Sequence, residues 1–329
     1  MFSSSSSNVV PFKFNFGGQH AAATDVDAVD EQTNQQTGTD HSVTVHQLTS
    51  TQQHTPNIQS FDTITIPHTT PTLTLQKIHI SSTNNSISEL TTKNDVVSGV
   101  YEGGFKLWEC TVDLIQLLAD VKSGIKQRSG KLPADTHVLH SLQQIVTDSP
   151  KLKVLELGCG HALPAIYCLN HLNAAHTVVQ DMNAEVIDTC TIPNIVRNTS
   201  QQMVSDLADR VTCVSGSWQS EKMLSTLLQS VQSSVSSTPT FNLILTAETI
   251  YNLNTMPALL SLIINTLSDN GVCLVAAKRY YFGVGGSTTE LLHQLKTKPQ
   301  YQKMLRAEVL RVMDDGKSNV REIIAIVKR

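Results

Sequence analysis

Nowhere in this chain do about 18 apolar residues run together, so no segment has the length of a membrane-spanning helix. The amino terminus, MFSSSSSNVVPFKFNF, has neither a basic start nor a long apolar stretch, and no secretory signal is expected. A basic excess is missing too. The 24 Lys and Arg stand against 28 Asp and Glu, a net charge of −4, which argues against direct DNA binding driven by bulk charge. Six cysteines are present, yet none forms a Cys-x-x-Cys pair, and several lie inside apolar runs such as VTCVSG and GVCLVAA. Buried, reduced thiols of an intracellular protein are the expectation, with no metal centre.

Positive charge is absent from one long region altogether: between Lys13 and Lys77 there is no Lys or Arg. Residues 1–90 are rich in Ser, Thr, Gln, Asn and His, and their apolar residues follow neither a helical nor a strand period. Such a segment cannot bury enough surface to offset its ordering entropy, so it reads as a disordered, low-complexity region. Two islands in it alternate apolar and polar residues. Pro11–Phe16 suits a short strand or a docking peptide, and Thr72–Ser81 suits an added edge strand.

Residues 91–329 read as one α/β domain. ECTVDLIQLLADVKSGI repeats apolar residues on one helical face. Five apolar runs then predict strands at KLKVLELGCG, HTVVQDMN, RVTCVSGSW, FNLILTAETIYN and VCLVAAKRYYFGVGGS, with helical segments between them. The helix PALLSLIINTLSDNG is expected to close at Gly271. Continuous apolar runs imply strands buried on both faces, hence a doubly wound, Rossmann-like sheet. The last two strands flank DDGKSN with no helix between them, so they form an antiparallel hairpin at the end of a mostly parallel sheet.

Four motifs fall at carboxyl ends of strands, where open α/β sheets bind ligands. Gly158-x-Gly160-x-Ala162 lets the backbone turn and approach a ligand; Leu163 stands where a dinucleotide fingerprint needs a third small residue. Asp181 follows about 20 residues later, at the distance of an acid that binds ribose hydroxyls; its alternative is a cap for the helix AEVIDTC. Gly216 and Ser217 offer a small-residue surface to a flat base, with Trp218 as a stacking ring or a cover on the sheet edge. Glu248 and Tyr251 end the fourth strand, where a carboxylate and a phenol can orient a nitrogen nucleophile; the alternative for Glu248 is a cap on the helix after it.

Taken together, GVYEGGFKLWECT, VLELGCG, VVQDMN, AETIYN and YYFGVGG resemble the protein-histidine N-methyltransferase family, whose members modify a large-subunit ribosomal protein. The resemblance spans about residues 96–329 and includes the aromatic FKFNF start. It implies a seven-stranded class I methyltransferase sheet with S-adenosyl-L-methionine as cofactor. It further implies that Leu107, Trp108, Glu109, Cys110 and Thr111 line the cofactor, with Trp108 closing over it as a lid. Gly158 and Gly160 would hold its methionine part, Gln180, Asp181 and Met182 its ribose and adenine, Gly216, Ser217 and Trp218 the adenine, and Ala247 the sulfonium end. Glu248 and Tyr251 would be catalytic, Glu248 holding the imidazole N–H. Two departures stand out: Ala247 replaces an expected Ser, and Pro164 interrupts the small residues after the glycines.

Rival readings are a lysine acceptor on the same fold, a ribosome- or chaperone-binding module without catalysis, and NAD chemistry, which the absent third glycine disfavours. Ile125–Lys131 is a basic cluster that suits nuclear entry, ribosomal RNA or an ordinary solvated loop. A monomer in the cytoplasm and nucleus is expected, with a protein substrate and no membrane.

Overall fold

The computed structural model describes residues 42–46, 48, 60–67, 69, 71–79, 96, 101–125, 137–199, 204–231, 239–314, 316 and 319–329. An eight-stranded sheet forms its centre, in the order β1-β6-β5-β4-β7-β8-β10-β9. Its strands are β1 Thr44–His46, β4 Lys153–Leu157, β5 His176–Asp181, β6 Val211–Ser215, β7 Phe241–Ala247, β8 Leu267–Lys278, β9 Leu305–Met313 and β10 Arg321–Lys328. Pairing from β6 through β8 is parallel. β10 inserts antiparallel between β8 and β9, which gives the terminal hairpin and the seven strands that the sequence predicts.

Each inner strand alternates between two cores, the period of a pleated strand buried on both faces. Val154, Leu243, Leu245 and Leu274 face a layer containing Leu114, Leu142, Ile166 and Ile195. Leu155, Ile244, Cys273 and Val275 face the opposite layer, with Leu227, Leu260, Ile263 and Leu291. The first layer comprises helices α1 Glu109–Lys122, α2 His137–Asp148, α3 Leu163–His171 and α4, which starts as Ala184–Val186, passes through a π turn at Ile187–Thr191 and continues as Ile192–Asn198. α5 Val204–Arg210 leads into β6. The second layer comprises α6 Glu221–Val231, α7 Met256–Thr266 and α8 Thr288–Thr297; the short α9 Pro299–Gln302 precedes β9. All six cysteines are buried and free.

Three features differ from or add to the sequence expectations. First, the described residues before residue 90 supply three strands. β2 Phe61–Ile66 and β3 Leu73–Ile78 form a separate antiparallel hairpin, so Thr72–Ser81 is no edge strand of the main sheet. The outer rim of β3 pairs with helix side chains instead. Asn198 Oδ1 accepts from Gln76 N–H at 2.8 Å, Asn198 Nδ2 donates to Gln76 O at 2.7 Å, and Asn194 Oδ1 accepts from Ile78 N–H at 2.6 Å. These asparagines on α4 are distant in sequence, which hides the pairing from local pattern. Second, the eighth strand is β1, antiparallel on β6 with Val45 opposite Val214. Third, α7 ends at Thr266, and Gly271 lies inside β8. There a Cβ would come within 2.8 Å of Leu267 and Ser268, so crowding rather than capping explains this glycine. Pro11–Phe16 and most of Ile125–Lys131 lie outside the described residues.

Candidate active site

β4, β5, β6 and β7 end around one crevice, at the point where the strand order reverses between β4 and β7. Its empty volume is about 870 Å³ with the mouth included, within the range of a cofactor site. Thirteen of the residues singled out in the sequence line it: Leu107, Trp108, Thr111, Gly158, Gly160, Asp181, Met182, Gly216, Ser217, Trp218, Ala247, Glu248 and Tyr251.

The glycine turn after β4 is built by close contact. Gly158 and Gly160 have φ of +64° and +48°, a region that favours glycine. A Cβ on Gly160 would stand 2.8 Å from the carbonyl oxygen of Gly104, so the 101–108 segment lies directly on the turn. Asp181 Oδ2 accepts from Gly160 N–H at 2.9 Å, and Oδ1 accepts from Asn183 N–H at 3.2 Å. The carboxylate therefore holds both the glycine turn and the Asn183 backbone just before α4, and its two oxygens keep lone pairs for further donors. Burial pushes its pKa up, while the N–H groups of Gly160, Asn183 and Met182 pull it back. Pro164 sits in the first turn of α3, where a missing N–H costs nothing.

The roof is the segment from Tyr101 to Trp108. Trp108 Nε1 donates to Gly103 O at 3.1 Å, and the Lys106 and Lys278 ammoniums lie 4.6 and 5.5 Å from its ring centroid. α1 begins at Glu109, and its helical turn decides which neighbours reach the crevice. Trp108 and Thr111, three apart, face it. Glu109 and Asp113, four apart, face Arg321 at 3.4 and 2.6 Å. Cys110 points into the core and is fully buried. Glu109 and Cys110 therefore do not line the crevice.

Gln180 does not line it either, but it supports two residues that do. Its Nε2 donates to Gly216 O at 2.8 Å, and its Oε1 accepts from Trp218 Nε1 at 2.6 Å.

Glu248 ends β7 with φ of +58°, a left-handed conformation rare for a side-chain-bearing residue and common at functional sites. It caps no helix, since α7 starts after Thr255. Oε2 accepts from the Tyr281 hydroxyl at 2.6 Å. Oε1 is buried and has no nitrogen or oxygen donor within hydrogen-bond distance; the Lys278 ammonium stands 3.9 Å away, and the Cys110 thiol, a weak donor, lies alongside. Burial raises the pKa of Glu248, and Lys278, Cys110 and Tyr281 each oppose that rise. Tyr251 walls the crevice, its ring edge-on to Tyr281 with centroids 6.2 Å apart.

Sequence reasoning missed several participants. His161 Nε2 pairs with Phe105 O at 2.9 Å, and its Nδ1 meets Asn194 Nδ2 at 3.1 Å and Cys190 Sγ at 3.2 Å, tying roof, glycine turn and α4 together. Burial lowers its pKa to about 4, so the ring is neutral. Glu156 accepts from Ala165 N–H at 2.8 Å, and burial pushes its pKa up to about 8. Lys278 and Tyr281 reach Glu248 from the end of the neighbouring β8, across about thirty residues of chain that no short motif spans.

The family described as lysine methyltransferase matches residues 84–283, more than half of the chain and the whole crevice lining. A "Histidine protein methyltransferase 1 homolog" of Dictyostelium discoideum is 38% identical over 241 residues, 73% of this chain and 63% of the relative. The homolog of the same name in Bos taurus is 31% identical over 260 residues, 74% and 60% respectively. "Histidine protein methyltransferase 1" of Schizosaccharomyces pombe is 28% identical over 256 residues, 69% and 66%. The chain thus spans roughly three-fifths of the length of these first two relatives. With more than half of its length matched by that family model, this chain belongs to the lysine methyltransferase family.

Proposed function

We propose that this chain is an S-adenosyl-L-methionine-dependent protein-histidine N-methyltransferase, acting on a histidine of a large-subunit ribosomal protein. The crevice suits that cofactor. Two buried carboxylates, Asp181 and Glu248, lie along it, with Glu156 as a third acid that a cation can ionise, matching a ligand whose sulfonium and ammonium outweigh its single carboxylate. Asp181 retains acceptor capacity for ribose hydroxyls, and the indoles of Trp108 and Trp218 offer faces to a cation and a flat base. When bound, S-adenosylmethionine supplies an electrophilic methyl group at the sulfonium.

The observation that carries the acceptor assignment is Glu248 Oε1, a buried carboxylate oxygen lacking a nitrogen or oxygen donor at the wall of the crevice. An imidazole N–H fits that vacancy. In accepting it, Glu248 turns the opposite ring nitrogen toward the methyl and balances the positive charge that develops on the ring. A neutral imidazole needs no strong base at pH 7, since its free pKa is about 6.5. The work left is alignment, which is worth ~7–11 kcal/mol in well-oriented systems. Tyr281 fixes the carboxylate, and Trp108 with Lys106 covers the site against water.

A lysine acceptor is the second reading, favoured by the description of the matching family. A lysine ammonium would enter beside Lys106 and Lys278, which already crowd Trp108, and would have to lose a proton with a free pKa of about 10.4. The test is transfer of a labelled methyl from S-adenosylmethionine to isolated large-subunit ribosomal proteins, followed by amino-acid analysis. Methylhistidine is the expected product, and its yield should collapse with Glu248→Gln. Methyllysine would overturn the acceptor, and no label would overturn the whole assignment.

A further inference from the structure

Among the described residues only five large hydrophobic side chains are strongly exposed: Val45, Leu253, Tyr280, Phe282 and Met304. Three of them belong to two loops at one place. Leu253 follows β7 and the crevice-lining Tyr251, and Tyr280 and Phe282 follow β8. The two loops are stitched together. Gly286 N–H donates to Tyr251 O at 3.0 Å, Asn252 bridges Gly285, and a Cβ on Gly285 would touch Leu253 at 3.2 Å.

Within the 279–286 loop the side chains divide by position. Tyr281 turns inward, 5% exposed, and holds Glu248. Its neighbours turn outward, Tyr280 at 55% and Phe282 at 76% exposed. An exposed Phe flanked by an exposed Tyr and a Leu costs hydration and stabilises no core. Any protein whose side chain reaches Glu248 must lay its backbone across the crevice mouth, next to Tyr251 and so next to this patch. The patch is apolar and carries little charge of its own, because the one cation in the loop, Arg279, is tied to Glu322 through Nε at 2.9 Å.

We propose that Tyr280, Phe282 and Leu253 form the docking surface for the acceptor segment of the protein substrate, receiving an apolar or aromatic side chain adjacent to the methylated residue. The inference rests on the protein-methyltransferase reading above, and it adds that the substrate is chosen by its neighbouring residue. Because Tyr281 sits in the same loop, an acceptor segment seated on Phe282 also seats the group that holds Glu248.

The test uses the full chain, S-adenosylmethionine and synthetic peptides with a central His flanked on either side by Trp, Leu, Ser or Asp. Methylated product is measured, and cofactor affinity is followed separately. Peptides with Trp or Leu beside the His should react with the lowest KM. Phe282→Ala should raise that KM about ten-fold or more while leaving cofactor Kd and Tm unchanged, as loss of one aromatic contact implies. Phe282→Tyr should restore most of it. Equal KM for all flanks, or an unchanged KM in Phe282→Ala, overturns the docking surface and leaves the methyltransferase assignment standing. A change of oligomeric state on Phe282→Ala without a change in KM makes the patch a contact between copies of this chain, and overturns the proposal equally. No transfer to any peptide overturns the docking surface together with the reading beneath it.

Discussion

The Tyr281 hydroxyl donates a 2.6 Å hydrogen bond to Oε2 of Glu248, joining the loop after β8 to the carboxylate that ends β7. It is the only oxygen donor that carboxylate has among the described residues, and it leaves Oε1 buried without a nitrogen or oxygen donor. Tyr281→Phe removes the donor and keeps the ring. A hydrogen bond to a charged group contributes about 1.5–3 kcal/mol, so kcat should fall about ten-fold or more with little change in cofactor Kd. The lost bond is one of the influences that hold the Glu248 pKa down. Its removal lets that pKa climb, so the acidic limb of the kcat–pH profile should move to higher pH. An unmoved limb would separate Tyr281 from the ionisation of Glu248.

Glu156 carries a second pH signature. Burial raises its pKa to about 8, above the ~4.3 of a free glutamate, so the folded chain binds a proton that the unfolded chain has released. Stability from this group is therefore full at low pH and declines as pH rises from ~4.3 through about 8. Glu156→Gln keeps an oxygen for the Ala165 N–H and removes the titration. Its Tm should match wild type near pH 5 and exceed it by a few degrees near pH 8.5. A cationic cofactor beside Glu156 favours its ionised form, so binding near pH 7 should release protons. Calorimetry in buffers of different ionisation enthalpy measures that number directly, and Glu156→Gln should reduce it.

The two glycines of the turn after β4 should respond differently to substitution. Gly160→Ala drives a Cβ into the Gly104 carbonyl, a backbone atom that moves only if the roof moves, so cofactor binding should be lost. Gly158→Ala meets Thr249 Cγ2 at 2.6 Å, a side-chain methyl. Pairing it with Thr249→Ser removes that methyl and keeps the hydroxyl that bonds Thr246 at 2.6 Å. The double variant should bind cofactor better than Gly158→Ala alone, short of wild type by the backbone strain of a side chain at positive φ, about 1–2 kcal/mol.

Asn194 links three elements by accepting from Ile78 N–H and donating toward His161. Asn194→Ala leaves buried partners unsatisfied and should cost about 2–3 kcal/mol by chemical denaturation. Because His161 also holds Phe105 O in the roof, cofactor Kd should rise as well. The neutral His161 adds an acid limit: with its pKa near 4, below the ~6.5 of a free histidine, its contribution is present above ~6.5 and is lost as pH falls toward about 4.

The chain has two tryptophans, and both line the crevice. Tryptophan fluorescence, excited where tyrosine does not absorb, therefore reports on that site alone. Titration with S-adenosylmethionine should change it, and Trp218→Phe should leave the response of Trp108 under the roof. A flat titration in the wild type, with binding seen by calorimetry, would place the cofactor away from the indoles.

What the sequence makes legible follows from range. The glycine turn, Asp181, Gly216 and Glu248 are readable because each sits at the end of an apolar run, and strand ends converge in this fold. Glu109 and Cys110 stand away from the crevice because α1 starts at Glu109 and its first turn points them toward Arg321 and the core. Gln180 acts through Trp218 and Gly216, a role visible only once β5 and β6 are side by side. The same holds for His161, Lys278 and Tyr281, whose partners are dozens of residues away. Of the β2–β3 hairpin only β3 shows in the sequence, as the alternating Thr72–Ser81; its partner strand and the two asparagines of α4 that complete its rim leave no local pattern.

β1 is only three residues long, yet it occupies the flank of β6 that no other described strand covers. His46 fastens it, with Nδ1 and Nε2 each 2.8 Å from Asp188 and Ser215. A bare strand flank is a template for pairing with other chains, and short, polar cover is one way to blunt it. Deprived of Thr44–His46, the domain would present β6 to its neighbours in solution and gather into oligomers through that side. A stretch poor in charge and apolar content thereby guards the colloidal stability of the sheet it barely joins.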